Sequence, residues 1–340
     1  MTRLDDKLAR IRDGKYRRAD FIIADAKDPD MGPSMAAAGP ARQKDGAATR
    51  NRTREEFLGQ IRAIVEQDVV DIMLTSASNL DRLARSGVFK GSKIQPAIRA
   101  NDTTDIWRVR GGAYPQKPSR PFRSANLCRV MWGSATPKVG SPPTGTDLGL
   151  YSITFNNDID ADIATLEAFA EFRAEAAALG FRYFLEVFNP NVATGIAPEI
   201  LPHYVNDCIQ RCLAGLTDAE RPLFLKVVYN GPKALEEMAS YDPSLVVGVL
   251  GGGAGTTRDC FELIAQAERY GARVALFGRK INLAESPLAM VTHMRAVADG
   301  AMSPSEAVKA YHGALQKAGI RPDRDLASDD LITEAALKTG

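Results

Sequence analysis

Eight short apolar runs, each closed by a polar or glycine-containing turn, recur along the chain with helical patterns between many of them. They lie at 21–25 (FIIAD), 69–75 (VVDIMLT), 93–99 (KIQPAIR), 150–156 (LYSITFN), 182–188 (RYFLEVF), 222–228 (PLFLKVV), 245–251 (LVVGVLG) and 273–278 (RVALFG). Helical periodicity fills 54–68, 79–87, 160–180, 197–215, 232–240, 257–271 and 286–300, and Gly180, Gly215 and Gly271 stand where helices commonly stop. Parallel strands need crossovers of a dozen or more residues, so alternating β and α units imply a parallel sheet covered by helices. Eight such units predict an α/β fold closed as a (β/α)8 TIM barrel, with a doubly wound open sheet as the alternative. The first βα turn carries no GxGxxG, which argues against dinucleotide binding.

The barrel accounts for 1–320 as a single domain, with 321–340 as a C-terminal tail holding one short helix. Leu4, Leu8 and Ile11 fall on one helical face, so the N-terminus reads as a short helix lying on the body. Two stretches exceed a minimal barrel. Residues 27–53 are rich in Gly, Pro and Ala, and residues 100–148 in Pro, Gly and Arg with one apolar patch, LCRVMWG. Both follow strands, the first and the third, so both belong to the C-terminal face where barrel active sites sit, as lids or subunit contacts.

Composition narrows the function classes. Lys and Arg total 43 against 42 Asp and Glu, a formal charge of +1, which is not the basic surplus of a nucleic-acid coat. No apolar run approaches the roughly 18 residues of a membrane span. The charged N-terminus lacks the apolar stretch of a signal peptide. Cys128, Cys208, Cys212 and Cys260 are too few and too scattered for a disulfide scaffold and have no zinc spacing. A reducing cytoplasm is the expected setting.

The chemistry concentrates at strand ends. Lys226 lies within a buried strand, and alternation places it with Phe224 and Val228 on the face taken to point into the barrel. A buried ammonium is costly unless paired, and a lysine made neutral by burial is a nucleophile toward carbonyls; the other reading is a structural ion pair. LGGGAGTT then opens a helix, with Gly251, Gly252 and Gly253 leaving backbone N–H groups bare at its N-terminus, an anion site by geometry and dipole. The next strand ends in Gly278, Arg279 and Lys280, so the two motifs fall on strands seven and eight, where many barrels hold phosphate. Glu186 shares a face with Phe184 and Phe188, so its carboxyl is expected to titrate high and move protons, or to serve as counter-ion to a lysine. Asp25 and Lys27 end the first strand two residues apart, on one face at the catalytic rim. Arg99 ends the third strand and, with the basic residues of 108–129, is a candidate for a second anionic group. His203, His293 and His312 all fall on predicted helices, away from strand ends, so no clustered zinc ligands and no metal are expected.

Taken together, these segments resemble the class I, Schiff-base-forming aldolases: the tagatose-bisphosphate, archaeal-type fructose-bisphosphate and, more distantly, deoxyribose-phosphate aldolases. The resemblance is carried by LKVVYNGPKALEEMA, by LGGGAGTTRDCFELIAQAERYGARVALFGRKI, by YFLEVFNP and by TFNNDIDADIATLEAF, and is firm over roughly 150–300. It implies that Lys226 is the Schiff-base lysine, that Gly252, Gly253, Gly278 and Arg279 hold a substrate phosphate, and that Glu186 moves a proton. IIADAKD resembles an Asp-x-Arg strand ending, with Asp25 at the aspartate, where it would hold the lysine or accept a proton, and Lys27, a candidate for substrate binding, where arginine is usual. The activity so implied makes or breaks a carbon–carbon bond in a phosphorylated ketose or related keto compound, without metal or organic cofactor, in a homo-oligomer. An acyl or aldol transferase of the same fold, thiolases included, and a non-catalytic phosphosugar-binding regulator are the alternatives.

Overall fold

The computed structural model describes residues 2–340 apart from Lys44 and Ala254. Eight parallel strands form a closed barrel in chain order: β1 (Ile22–Lys27), β2 (Ile72–Thr75), β3 (Gln95–Arg99), β4 (Leu148–Thr154), β5 (Arg182–Phe188), β6 (Leu225–Val227), β7 (Val247–Leu250) and β8 (Val274–Phe277), with β8 returning to β1. Each expected strand is present. The sixth, read over seven residues, has three in the ladder, although Leu223 N–H and the Phe224 carbonyl still bond to Tyr183 and Leu185 of β5. Strands covered on both faces read as continuous apolar runs, which is why their sequences show so little polar alternation.

Alternation divides each strand between two packing layers. Ile22, Ala24, Leu74, Leu150, Phe184 and Phe224 belong to the inner layer, inside the barrel. Ile23, Met73, Tyr151, Leu185, Leu225 and Phe277 belong to the larger layer between strands and helices. The inner layer includes Leu4 and Leu8 of the N-terminal helix Arg3–Arg12. That helix does more than lie on the body: it plugs the N-terminal mouth. Thr2 and Asp5 cap it reciprocally, and Lys7, buried, donates to the Phe21 carbonyl at 3.0 Å and to Asp71 at 2.9 Å.

The two long loops are built structures at the opposite mouth. Residues after β1 form 3-10 turns at Pro29–Met31 and Ser34–Ala38. Those after β3 form a two-stranded ribbon, Asp102–Thr103 with Pro121–Phe122, and a helix, Leu127–Trp132, that buries most of the apolar patch. Asp105 accepts from Ser119 at 2.8 Å and from Thr154 of β4 at 3.2 Å, tying the second loop to the barrel. Trp107 stacks on Tyr114 with 5.3 Å between ring centres and lies 4.7 Å from Phe122. The loops also meet: a Cβ on Gly32 would stand 3.2 Å from the Ile106 carbonyl.

The C-terminal tail is likewise anchored. It runs along the helix Thr257–Arg269, where Asp329 accepts from Thr257 N–H at 2.8 Å, Thr333 N–H donates to Asp259 at 2.7 Å and Gln266 donates to the Leu337 carbonyl at 2.8 Å. Among the described residues, no helix is long and apolar enough to cross a membrane.

Truncating the plug opens a cavity under the barrel. Leu8→Ala is expected to cost about 2–4 kcal/mol in equilibrium urea unfolding, the range of large-to-small core changes, while leaving chemistry at the far mouth intact.

Candidate functional site

Register assembles the site. The pairing of β5 with β6 sets Glu186 directly beside Lys226, and that of β4 with β5 sets Ser152 beside Glu186. All three point into the barrel, two residues beyond the inner-layer positions Leu150, Phe184 and Phe224. Phe184 and Phe224 stack with 4.5 Å between centres and floor the pair. Lys226 Nζ lies 2.5 Å from Glu186 Oε1. Glu186 Oε2 accepts from Ser152 Oγ at 2.6 Å and pairs with Arg99 Nη2 at 3.2 Å. Arg99 Nη1 donates to Ser152 Oγ at 2.8 Å, and its Nε donates to Asp28 at 2.5 Å. Asn101 locks Ser152 from behind, accepting from its N–H at 2.6 Å and donating to its carbonyl at 2.7 Å.

The electrostatics follow from these contacts. Burial pushes the Glu186 carboxyl upward, but Lys226, Arg99 and the Ser152 hydroxyl outweigh it and hold it below the ordinary value. The high-titrating Glu186 expected from its phenylalanine neighbours is thus corrected: those rings floor the site, while the carboxylate edge faces two cations. Burial also works against the Arg99 charge, and Asp28, Glu186 and Asp102 more than restore it. Asp102 is pushed up to about 7 by burial, against the pull of Arg99.

The loops after β7 and β8 close the same mouth. Gly251 has no room for a side chain: its Cβ would run into Phe277, and its N–H donates to the Leu276 carbonyl at 2.7 Å. Gly252 needs its left-handed φ of 60°. Gly278 abuts the Ala26 carbonyl, 3.0 Å from where a Cβ would sit. Arg279 Nη2 donates to the Gly252 carbonyl at 2.8 Å, joining the two loops. The helix N-terminus that the sequence offers as an anion site is already engaged by the protein itself. Thr256 N–H donates to Asp259 at 3.0 Å and Thr257 N–H to Asp329 of the tail at 2.8 Å. Of the glycine turn, Gly251 and Gly252 face the mouth. Gly253, expected to join them, stands instead beside Glu334 of the tail, whose carboxylate lies 3.4 Å from where a Cβ would sit.

A cavity of about 250 Å³ opens above Lys226 and is lined by Glu186, Arg99, Asp28, Gly251, Gly252, Gly278 and Arg279. One further lining residue, Arg108, comes from the loop after β3. Lys226, Glu186, Arg99 and the glycine–arginine elements thus meet in one place.

Asp25 and Lys27 do not join them. Ala26 and Asp28 line the cavity, so alternation turns Asp25 and Lys27 to the outer face of β1, between strand and helices. There they form a wholly buried ion pair at 3.3 Å. Burial raises the Asp25 carboxyl to about 6 against the pull of Lys27, and lowers the Lys27 ammonium against the pull of Asp25. The site residues that sequence reasoning passed over are Asp28, which lines the cavity, and Ser152 beneath it, while Arg108 was reached only as one of the basic residues of 108–129. The first two carried a signal, standing an even number of residues from the small Ala26 and from Leu150. Arg108 carried none beyond its basic loop.

His203 pairs with Glu237 at 2.8 Å and His312 with Asp329 at 3.0 Å, both outside the cavity lining. Among the described residues, no group of three or more His, Cys, Asp and Glu is placed to hold a metal ion.

No protein-family profile matches the chain, and no curated protein sequence matches it either. Solved structures do. An archaeal fructose-1,6-bisphosphate aldolase, with its catalytic lysine covalently bound to the carbinolamine intermediate of the substrate, superposes with a TM-score of 0.60 at 15% identity, over 87% of this chain and 100% of that one. A Schiff-base-forming fructose-1,6-bisphosphate aldolase gives 0.60 at 16% identity, over 88% and 100%. A Corynebacterium glutamicum protein gives 0.56 at 18% identity, over 88% and 94%. At such identities the likeness is one of fold, and it falls on the family that the sequence resembles.

Two measurements test these placements. Asp25→Asn leaves Lys27 buried without its carboxylate and is expected to cost about 3–5 kcal/mol in chemical denaturation. The double change Asp25→Leu, Lys27→Met should recover most of that loss. Asp102 sets a pH dependence: its carboxyl is raised above the ordinary 3.8 to about 7, so its contribution to stability is full below pH 3.8 and fades as pH rises through 7. Asp102→Asn should therefore melt increasingly above the wild type between pH 5 and pH 8.

Proposed function

We propose that the protein is a class I aldolase that makes or breaks a carbon–carbon bond in a phosphorylated keto compound through a Schiff base on Lys226. The observation that carries this reading is the 2.5 Å contact between Lys226 and Glu186 at the base of a cavity on the catalytic face of a barrel. The fold shared with Schiff-base-forming aldolases supports it.

The steps use groups within reach. Glu186, held ionised by its cationic neighbours, takes a proton from the Lys226 ammonium. The freed amine attacks the substrate carbonyl, and the carbonyl oxygen takes the proton that the attacking nitrogen sheds and becomes the carbinolamine hydroxyl. Glu186 returns its proton to that hydroxyl, which leaves as water, and the nitrogen lone pair closes the iminium. The iminium then accepts the electron pair of the breaking carbon–carbon bond and becomes an enamine, while the substrate hydroxyl that turns into the aldehyde gives its proton to Glu186; in the other direction the enamine adds to an aldehyde and Glu186 returns that proton. Ser152 and Arg99 keep Glu186 aimed at the nitrogen throughout. The aromatic floor and the two loops exclude water from the intermediate. Asp25, expected from the strand-end resemblance to serve the lysine, has its back to this site.

Borohydride reduction in the presence of dihydroxyacetone phosphate, followed by peptide mass spectrometry, should place a reduced adduct on Lys226. Lys226→Met should abolish it. Glu186→Gln should slow adduct formation by about 10²–10⁴, the usual worth of a positioned acid–base group. An adduct on another lysine, or cleavage undiminished in Lys226→Met, would sink the reading. A requirement for a second acyl or aldol acceptor would redirect it to the transferase.

A further inference from the structure

Among the described residues, the cations lining the cavity are Lys226, Arg99, Arg108 and Arg279. Two are committed. Lys226 is paired with Glu186, and Arg99 directs Nε to Asp28, Nη1 to Ser152 and Nη2 to Glu186. The end of the cavity that holds the lysine is therefore balanced, two positive charges against two negative. The other end is not. Among the described residues, Arg108 and Arg279 form no ion pair with a carboxylate, although they arrive from different loops to line one space. Arg279 is pinned by its bond to the Gly252 carbonyl. Arg108 follows Trp107, whose ring is wedged against Tyr114 and Phe122, so its backbone is fixed rather than free to withdraw. Burial and then the neighbouring Arg108 work against the Arg279 charge, and the carboxylate that supports it is Glu334 of the tail.

Resting on the Schiff-base reading, we infer that the substrate carries a single phosphate, clasped between Arg108 and Arg279 at the glycine turn, and that its other end is uncharged. A phosphate dianion carries about two negative charges and accepts forked donors from both guanidiniums. Among the described residues, the cavity lining offers a second phosphate no such place. To reach Arg99 it would have to expel Asp28 or Glu186, and expelling Glu186 would remove the proton carrier of Lys226. This separates the chain from the bisphosphate aldolases whose fold it shares. It also gives the insertion after β3 a task, since Arg108 supplies half of the clasp and Trp107 holds it in place.

The test is a calorimetric titration of the full chain with inorganic phosphate, then of the Lys226→Met chain with fructose 1-phosphate, fructose 6-phosphate and fructose 1,6-bisphosphate. One phosphate should bind per chain. Arg108→Ala and Arg279→Ala should each weaken it about tenfold or more, the scale of a lost charge-assisted pair. Arg108→Lys, which keeps the charge but loses the fork, should fall between, and Glu334→Gln should tighten binding. The bisphosphate should bind within about threefold of the better monophosphate, a difference well below one charge-assisted contact. Two phosphates per chain, a bisphosphate bound tenfold tighter than either monophosphate, or an Arg108→Ala chain that titrates like the wild type would each overturn the inference. These titrations do not depend on adduct formation. A chain that binds phosphate as described yet traps nothing under borohydride would keep the clasp and discard the Schiff base.

Discussion

The contact between Lys226 and Glu186 is where the demands of folding and chemistry meet. Two opposite charges are taken out of water, and such a pair is stable only with good geometry and with its remaining lone pairs satisfied. Satisfying Glu186 requires Ser152 and Arg99, and satisfying Arg99 requires Asp28. The chain of charges therefore runs through β6, β5, β4 and β3 to the end of β1. A slip of one residue in any of these strands would send its member to the outer layer and leave a buried charge alone. The barrel's register and the alignment of the site are one constraint.

A sealed mouth on one side and two structured insertions on the other keep that charge network buried. Leu4 and Leu8 seal one end, and the stacked Phe184 and Phe224 form the floor on which Lys226 and Glu186 stand. At the other end the two insertions are shaped by specific bonds, with Asp105 joining ribbon to barrel and the 3-10 turns touching Ile106. Electrostatic interactions strengthen where water is excluded. The same architecture would sharpen the proposed proton exchange between Glu186 and Lys226, and it leaves Arg108 and Arg279 as the charge, unpaired among the described residues, that an anion would meet first.

The tail changes how the phosphate-site pattern should be understood. A glycine turn before a helix reads as an anion cradle, because first-turn N–H groups lack partners within the helix. Here Asp259 and Asp329 already take two of those donors. Asp329 stands more than seventy residues from Thr257 in sequence and is itself bound by His312. Gly251 and Gly278 are required by packing against Phe277 and Ala26 as well as by any ligand. A motif at a helix start can serve the fold and the site together, and only the partners of each N–H tell the roles apart.

Much of this molecule was legible in its sequence. The eight alternating units determined the barrel, since strands covered on both sides must be apolar throughout and parallel strands must be joined by helices. A lysine inside the sixth run and a glutamate inside the fifth stood out because buried charges are rare without a partner. Periodicity also showed that Asp25 and Lys27 share a face. It could not show which face, because alternation fixes relative phase and not the direction of the barrel axis; that was decided when Ala26 and Asp28 turned inward. Tertiary structure alone decided that Arg99 would be engaged by Asp28 and Glu186, that Arg108 would arrive beside Arg279, and that the tail would occupy the helix end. Those contacts join residues tens to hundreds of positions apart, and local propensity carries no information about such distances; only closure of the barrel brings them together.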